Sequence, residues 1–186
     1  MNTEFEKMRS RQKYNFSYLF FVFSLLHAKE LCRKLQTMTF TDTLYRSLIS
    51  DLIPSLPETS VVCPPFHCDH GNGILMGEHV FINYNCVFLD GGYIRIGAHT
   101  LIGPNCQLYT PQHPKDYMER RATVETAYPI TIGDDCWLGG NVVVCPGVTI
   151  GNRCIIAAGS VVTKDIPDDS MAAGNPAVVK KRLNGK

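Results

Sequence analysis

The nine residues LYTPQHPKD, Leu108–Asp116, hold the side chain best suited to proton transfer. His113 lies two residues after Pro111 and directly before Pro114. A free imidazole titrates near 6.5, so it can take or return a proton near neutral pH. A base of that strength, held on a restrained loop, can activate a weak hydroxyl nucleophile. The flanking prolines restrict the backbone that carries it. An ordinary surface-loop histidine fits the same residues, so the surroundings must decide.

The other histidines make a weaker set. His67 and His70 flank Asp69 in FHCDHG, and His79 and His99 fall at turn positions. Their spacing builds no clear three-histidine zinc site, and no metal is expected. Eight cysteines, at 32, 63, 68, 86, 106, 136, 145 and 154, contain no CxxC pair. Zinc-ribbon spacing is therefore absent, and the thiols are expected to be reduced in a cytoplasmic protein.

The elements that must position His113 are written in the chain's rhythm. Apolar residues stand six apart at Met76, Ile82 and Phe88, and again at Ile96, Ile102 and Leu108. They return at Ile132, Leu138, Val144, Ile150, Ile156 and Val162. Glycine follows directly at Gly77, Gly97, Gly103, Gly133, Gly139 and Gly151. A small or β-branched residue follows four places on, including Cys86, Cys106, Cys136 and Cys154. An even period suits strands with alternating faces, not a helix or a heptad. Short strands and turns at a fixed period stack into a parallel β-helix. Glycine is expected to supply the turns. The four cysteines share a packing slot, where a free thiol behaves as a small hydrophobe.

The rhythm breaks twice. Two extra residues appear near Gly91–Gly92, and the spacing is lost between Leu108 and Ile132. The second break is an extended loop, residues 109–129, and it carries His113. A long loop leaving a regular solenoid is usually functional.

Residues 1–60 read as a helical segment ahead of the repeat domain, 61–186. Thr41–Leu52 places Leu44, Leu48 and Leu52 at helical spacing, with Thr41 or Asp42 as the N-cap. Phe16–Leu26, FSYLFFVFSLL, follows Lys7, Arg9, Arg11 and Lys13 in the manner of a signal peptide. It is too short to span a bilayer and lacks a good cleavage site. Leu19, Val22, Phe23 and Leu26 share one helical face, and Ala28, Leu31 and Leu35 extend the run. A buried or interface helix is expected, with a targeting signal and membrane association as the alternatives. The net charge of +1 gives no reason to expect a nucleic-acid partner.

The motifs PPFHCDHG, NYNCVFLD, IGPNCQLYTPQHP, PITIGDDCWLGGNVVVCPGVTIG, AAGSVVTKDIP and AAGNPA occur in order from Pro64 onward. Together they resemble the hexapeptide-repeat acyltransferases, in the branch of maltose, galactoside and nodulation-type O-acetyltransferases. The N-terminal helices match that family in length and position but poorly in residues. The resemblance implies an all-β core, a left-handed parallel β-helix with an N-terminal helical segment and a short basic C-terminal segment. That hand is an exception to the usual right-handed crossover. It also implies a homotrimer with active sites between subunits, and acetyl-CoA as co-substrate.

In that resemblance His113 is the general base for acetyl transfer to a sugar or glycoside hydroxyl. Asn83 and Asp69 match acceptor-contacting positions, although turn chemistry also favours both residue types. Glu125 falls where the family has an acceptor-facing or histidine-supporting residue. Asn15 aligns loosely with a family aspartate. Acetyl-CoA would meet Trp137, Gly140, Ala158, Thr163, Lys164 and the basic end at Lys180–Lys181–Arg182, with Lys181 near the phosphates. Lys181 stands where the family often has arginine, which makes a bidentate phosphate contact unavailable. The rival readings are a non-sugar acceptor and a β-helix kept only as a scaffold.

Overall fold

A computed structural model describes residues 3–183. From Val61 the chain winds into a prism with three parallel sheets. Each coil visits them in the same order. One sheet contains Val61–Val62, Phe81–Ile82, Leu101–Ile102, Trp137–Leu138 and Ile155–Ile156. The next contains Phe66–Cys68, Cys86–Leu89, Gln107–Tyr109, Val143–Val144 and Val161–Val162. The last contains Ile74–Met76, Ile94–Ile96, Ile130–Ile132 and Thr149–Ile150. We refer to them as the first, second and third sheets. Ser170–Gly174 extends the first sheet, and Ala177–Arg182 folds back antiparallel along it. The architecture is the left-handed parallel β-helix.

The six-residue register sets the interior. Ile82, Ile102, Leu138 and Ile156 stack in ladder, each at most 1% exposed. Cys86, Cys106, Cys136 and Cys154 are buried in the small slots. All four donate S–H bonds to backbone carbonyls: Cys86 to Gly103 (3.4 Å), Cys106 to Gly139 (3.1 Å), Cys136 to Gly151 (3.0 Å) and Cys154 to Pro167 (3.2 Å).

The turns differ from the expectation that glycine supplies their dihedrals. Within the hexapeptide repeats glycine does so only at Gly147 (φ 83°) and Gly159 (φ 72°); the other left-handed turn residues are His79, Asn85, His99, Asn105, Asp135, Asn141, Arg153 and Asp169, with φ from 55° to 61°. The repeat glycines are needed for proximity. A Cβ on Gly139 would lie 2.6 Å from the Ala158 nitrogen, and one on Gly97 2.5 Å from the Asp134 nitrogen. Successive coils touch through backbone there, and any side chain would push them apart.

Three helices precede the prism: α1 (Glu4–Arg9), α2 (Leu19–Leu35) and α3 (Tyr45–Leu52). Helix α3 starts later than expected. Neither Thr41 nor Asp42 caps it; the Asp42 carboxylate accepts from the Thr39 N–H at 2.6 Å. Its buried face is Tyr45, Ile49 and Leu52, with Leu44 exposed. The Tyr45 hydroxyl donates to the Val62 carbonyl at 2.8 Å and fastens the helix to the first coil.

Helix α2 also turns differently. Leu19, Phe23 and Leu26 are exposed, whereas Phe21, Ala28, Leu31, Cys32 and Leu35 are buried. The C-terminal half docks on α3 and on the second sheet, and that contact fixes the rotation of the whole helix. Among the described residues no helix is long and apolar enough to cross a membrane.

Candidate active site

The long loop is a built hairpin. Pro111–Gln112 pairs antiparallel with Thr126–Ala127, so His113 follows directly on a fixed ribbon. The other edge of Val124–Ala127 pairs with a two-residue strand, Tyr14–Asn15, from the N-terminal segment. The loop is thereby clamped from both sides. Such short strands carry no readable periodicity, and Tyr14–Asn15 was invisible among helical signals.

His113 remains 56% exposed on its side chain, and its Nε2 lies 3.7 Å from Glu125 Oε2. The Phe16 ring meets the imidazole edge-on, with centroids 6.0 Å apart. Glu125 is mostly covered, and its other oxygen accepts from the Tyr14 hydroxyl. His113, Glu125 and Asp69 line one cleft of about 490 Å³, walled by Phe16, Phe21 and Leu25. A carboxylate at that distance favours the imidazolium that forms when histidine takes a proton.

Asp69 is held in place by a residue the sequence did not single out. Asp90 is fully buried, and its carboxylate accepts from the N–H groups of Asp69 (3.1 Å), His70 (2.8 Å) and Gly73 (2.9 Å). Arg9 of α1 stands 4.0 Å from it and donates to the carbonyls of Asp90 (2.5 Å) and Gly91 (3.0 Å). The first break in the repeat is therefore the docking point of α1. Its signal was the two-residue insertion itself.

Burial pushes the Asp69 carboxyl up to about 7, with Asp90 and Glu125 adding to the effect. The neighbouring His70 is pushed the other way, to about 4, by burial. Its ring lies against Phe21, its Nδ1 is 3.0 Å from the Ser24 hydroxyl, and its buried Nε2 has no partner.

The signs of the two linkages are opposite. Asp69 binds its proton more tightly folded than unfolded, where a carboxyl titrates near 3.9. Its contribution to stability is full below that value and is lost as pH rises through about 7. His70 contributes above its unfolded value, and that is lost as pH falls towards about 4. Comparing Asp69→Asn with the parent isolates the first term, because both keep His70. Urea midpoints measured at about pH 5 and about pH 8 should show the variant gaining on the parent as pH rises. Parallel midpoints would mean Asp69 ionises normally.

The remaining candidate residues divide between two edges of the prism. Asp69, Thr163 and Lys164 follow strands of the second sheet, at the edge leading to the third, and His113 follows the ribbon that leaves the second sheet after Gln107–Tyr109. Asn83, Gly140 and Ala158 follow strands of the first sheet, at the edge leading to the second. Asn83 is therefore not brought to His113 within one chain; its side-chain oxygen accepts from the Tyr84 N–H at 2.9 Å. Trp137 is 54% exposed on the outer face of the first sheet, and Lys181 is exposed on its terminal strand.

Asn15 lies on the ribbon beside Glu125 but outside the cleft lining. Its oxygen accepts from the Ser17 N–H (2.9 Å), the Ser17 hydroxyl (2.7 Å) and the Thr123 hydroxyl (3.0 Å). Those bonds secure the ribbon. Among the described residues no cluster of three or more His, Cys, Asp or Glu is placed to hold a metal ion.

A coil of hexapeptides whose long loop presents histidine against a carboxylate defines a class, and the chain belongs to the hexapeptide-repeat acetyltransferases. The family model described as bacterial transferase hexapeptide (six repeats) matches residues 129–164. A Staphylococcus aureus (strain Mu50) protein named as a candidate acetyltransferase is 41% identical over 184 residues, 98% of this chain and 92% of its own. The hexapeptide-repeat acetyltransferase of Vibrio cholerae, solved with acetyl-coenzyme A, is 41% identical with a TM-score of 0.91. That match covers 98% of this chain and 100% of the other. A maltose O-acetyltransferase from Clostridium difficile 630 is 38% identical, covers 98% of both chains and gives a TM-score of 0.94.

Proposed function

We propose that this acetyltransferase moves the acetyl group of acetyl-CoA to a hydroxyl of a sugar or glycoside, by direct transfer within a ternary complex with His113 as general base. The observation that carries the reading is His113 on its ribbon, set against Glu125 and facing a cleft with Asp69. The acceptor oxygen attacks the thioester carbon while His113 takes its proton. The carbon–sulfur bond breaks, and the imidazolium returns the proton to the departing thiolate. Glu125 favours the charged histidine between those events. Asp69 and Asn83 are short polar groups suited to acceptor hydroxyls. The likeness to a maltose O-acetyltransferase supports the acceptor class, and the V. cholerae complex supports acetyl-CoA as co-substrate.

The division of candidates between two edges supports a homotrimer with each site at a seam. One chain supplies His113, Thr163 and Lys164, and its neighbour supplies Asn83, Trp137, Gly140 and Ala158. Gly140 and Ala158 hold the same place on successive coils, two residues beyond the paired Leu138 and Ile156, at a corner where a pantetheine can approach backbone. No intrachain acceptor takes their N–H groups among the described residues, which makes them the best oxyanion donors on that edge. Lys181 supplies a point charge for phosphate. Eight unpaired thiols suit a cytoplasmic setting.

The apolar wall of Phe16, Phe21 and Leu25 favours a second reading, an acceptor whose hydroxyl sits on an apolar body. Thiol release from acetyl-CoA should be measured with maltose, glucosides, galactosides, their aryl forms and non-sugar alcohols. Release that depends on a sugar hydroxyl supports the proposal. Release only with non-sugar alcohols transfers the conclusion to the second reading. No release with any of them, from protein that binds acetyl-CoA, favours a retained scaffold.

A further inference from the structure

We propose that Tyr14 is a positioning residue of the transfer reaction: its hydroxyl fixes the Glu125 carboxylate, which in turn sets the His113 base. The inference rests on the reading of His113 given above and extends it to the N-terminal segment.

Tyr14 stands directly opposite Glu125 in the antiparallel register of the ribbon. Directly opposed side chains in such a pair start within about 5 Å of each other. The tyrosine is 1% exposed, and its ring packs on Phe21 with centroids 5.5 Å apart. Its hydroxyl donates to Glu125 Oε1, while Glu125 Oε2 faces His113 Nε2 at 3.7 Å. Phenol, carboxylate and imidazole thus stand in series. A carboxylate with both oxygens free can rotate; one tied through Oε1 presents Oε2 in a fixed direction. Burial and the neighbouring Glu125 hold the phenol well above its ordinary range, so it stays a donor.

The coil is shaped to receive this tyrosine. A Cβ on Gly91 would come within 3.1 Å of the Tyr14 hydroxyl. The same Gly91 gives its carbonyl to Arg9, which anchors the segment leading into Tyr14. The first break in the hexapeptide rhythm thereby seats the residue that steadies the second. The charged groups that act on the phenol are Glu125 and Asp69, which favour its neutral form, and Arg9, which opposes them.

Tyr14→Phe keeps the buried ring and removes only the donor. Loss of a group that orients another through a hydrogen bond commonly costs about 10- to 100-fold in activity. The variant is expected to lose that much kcat, with KM for acetyl-CoA changed less than about two-fold. Without its donor, the Glu125–His113 pair holds a proton more tightly. The acid limb of the rate profile and the NMR titration of the His113 ring should both move to higher pH. The NMR shift needs no acceptor. Tyr14→Phe combined with Glu125→Gln should be no slower than Glu125→Gln alone.

Wild-type kcat and an unmoved His113 titration in Tyr14→Phe would overturn the proposal. So would losses additive with Glu125→Gln and accompanied by lower thermal stability, which mark a purely structural tyrosine. If His113→Ala keeps its activity, the reading of the base itself has failed, and that result is separate from either outcome for Tyr14.

Discussion

His113→Ala is expected to lower turnover by about a thousand-fold, within the 10²- to 10⁴-fold range of positioned acid–base groups. A neutral sugar hydroxyl is a poor nucleophile, and His113 is the base that the proposed reaction uses to activate it. Glu125 faces the imidazole with one oxygen and is held by Tyr14 through the other. Asp69, pushed up to about 7 in the same cleft, can also exchange a proton near neutral pH, so Asp69→Asn is the companion control. The substitution removes a half-exposed side chain from the end of a paired ribbon, so the fold should be unchanged. Acetyl-CoA affinity, measured by calorimetry, should match the parent, because the loss lies in the chemical step. A variant that turns over at the parent rate would remove His113 from the mechanism. A variant that no longer binds acetyl-CoA would show that the loop serves binding before chemistry.

Asp90→Ala should be the most damaging single change to stability around the site. Its carboxylate satisfies three backbone N–H groups and faces the Arg9 guanidinium, all with the side chain at 0% exposure. Removing one partner of a buried charged set costs about 3–5 kcal/mol, here because three backbone N–H groups lose their acceptor while Arg9 keeps only its carbonyl partners. In a chain of this size that lowers the thermal midpoint by roughly 10 °C. Subunit concentration must be held fixed across the comparison. Asp90→Asn keeps one acceptor oxygen and should recover part of the loss. The turn 69–73 would lose its template in the alanine variant, so residual activity should fall with stability. A midpoint within a degree or two of the parent would mean the Asp90 network is replaced by water at little cost.

Much of the prism was legible because period six leaves little choice. Ile82, Ile102, Leu138 and Ile156 could only face inward, and the buried cysteines follow from the same count. His113 was legible because it stands in the one long break. The ribbon that holds it was not. Pro111–Gln112 and Tyr14–Asn15 are two residues each, below any readable pattern, and their partner lies about a hundred residues from Tyr14 in sequence. The rotation of α2 was misread for a related reason. Leu19, Phe23 and Leu26 make a good apolar stripe, but docking of the C-terminal half turns that stripe to the surface. Tertiary contact outweighed local pattern. Asp90 carried no motif, and only its place beside the Gly91–Gly92 insertion hinted at a role.

The most direct measurement mixes two inactive variants. His113→Ala disables the base edge, and Ala158→Trp fills the opposite edge at an exposed position. In the proposed homotrimer each alone should be inactive. Chains exchanged at equal ratio form seams with an intact base edge from one variant and an intact cofactor edge from the other. Random pairing makes about a quarter of the seams productive, so the mixture should recover about a quarter of wild-type turnover. A mixture that exchanges chains yet stays inactive would contradict a site shared between two copies, with His113 on one and the acetyl-CoA edge on its neighbour.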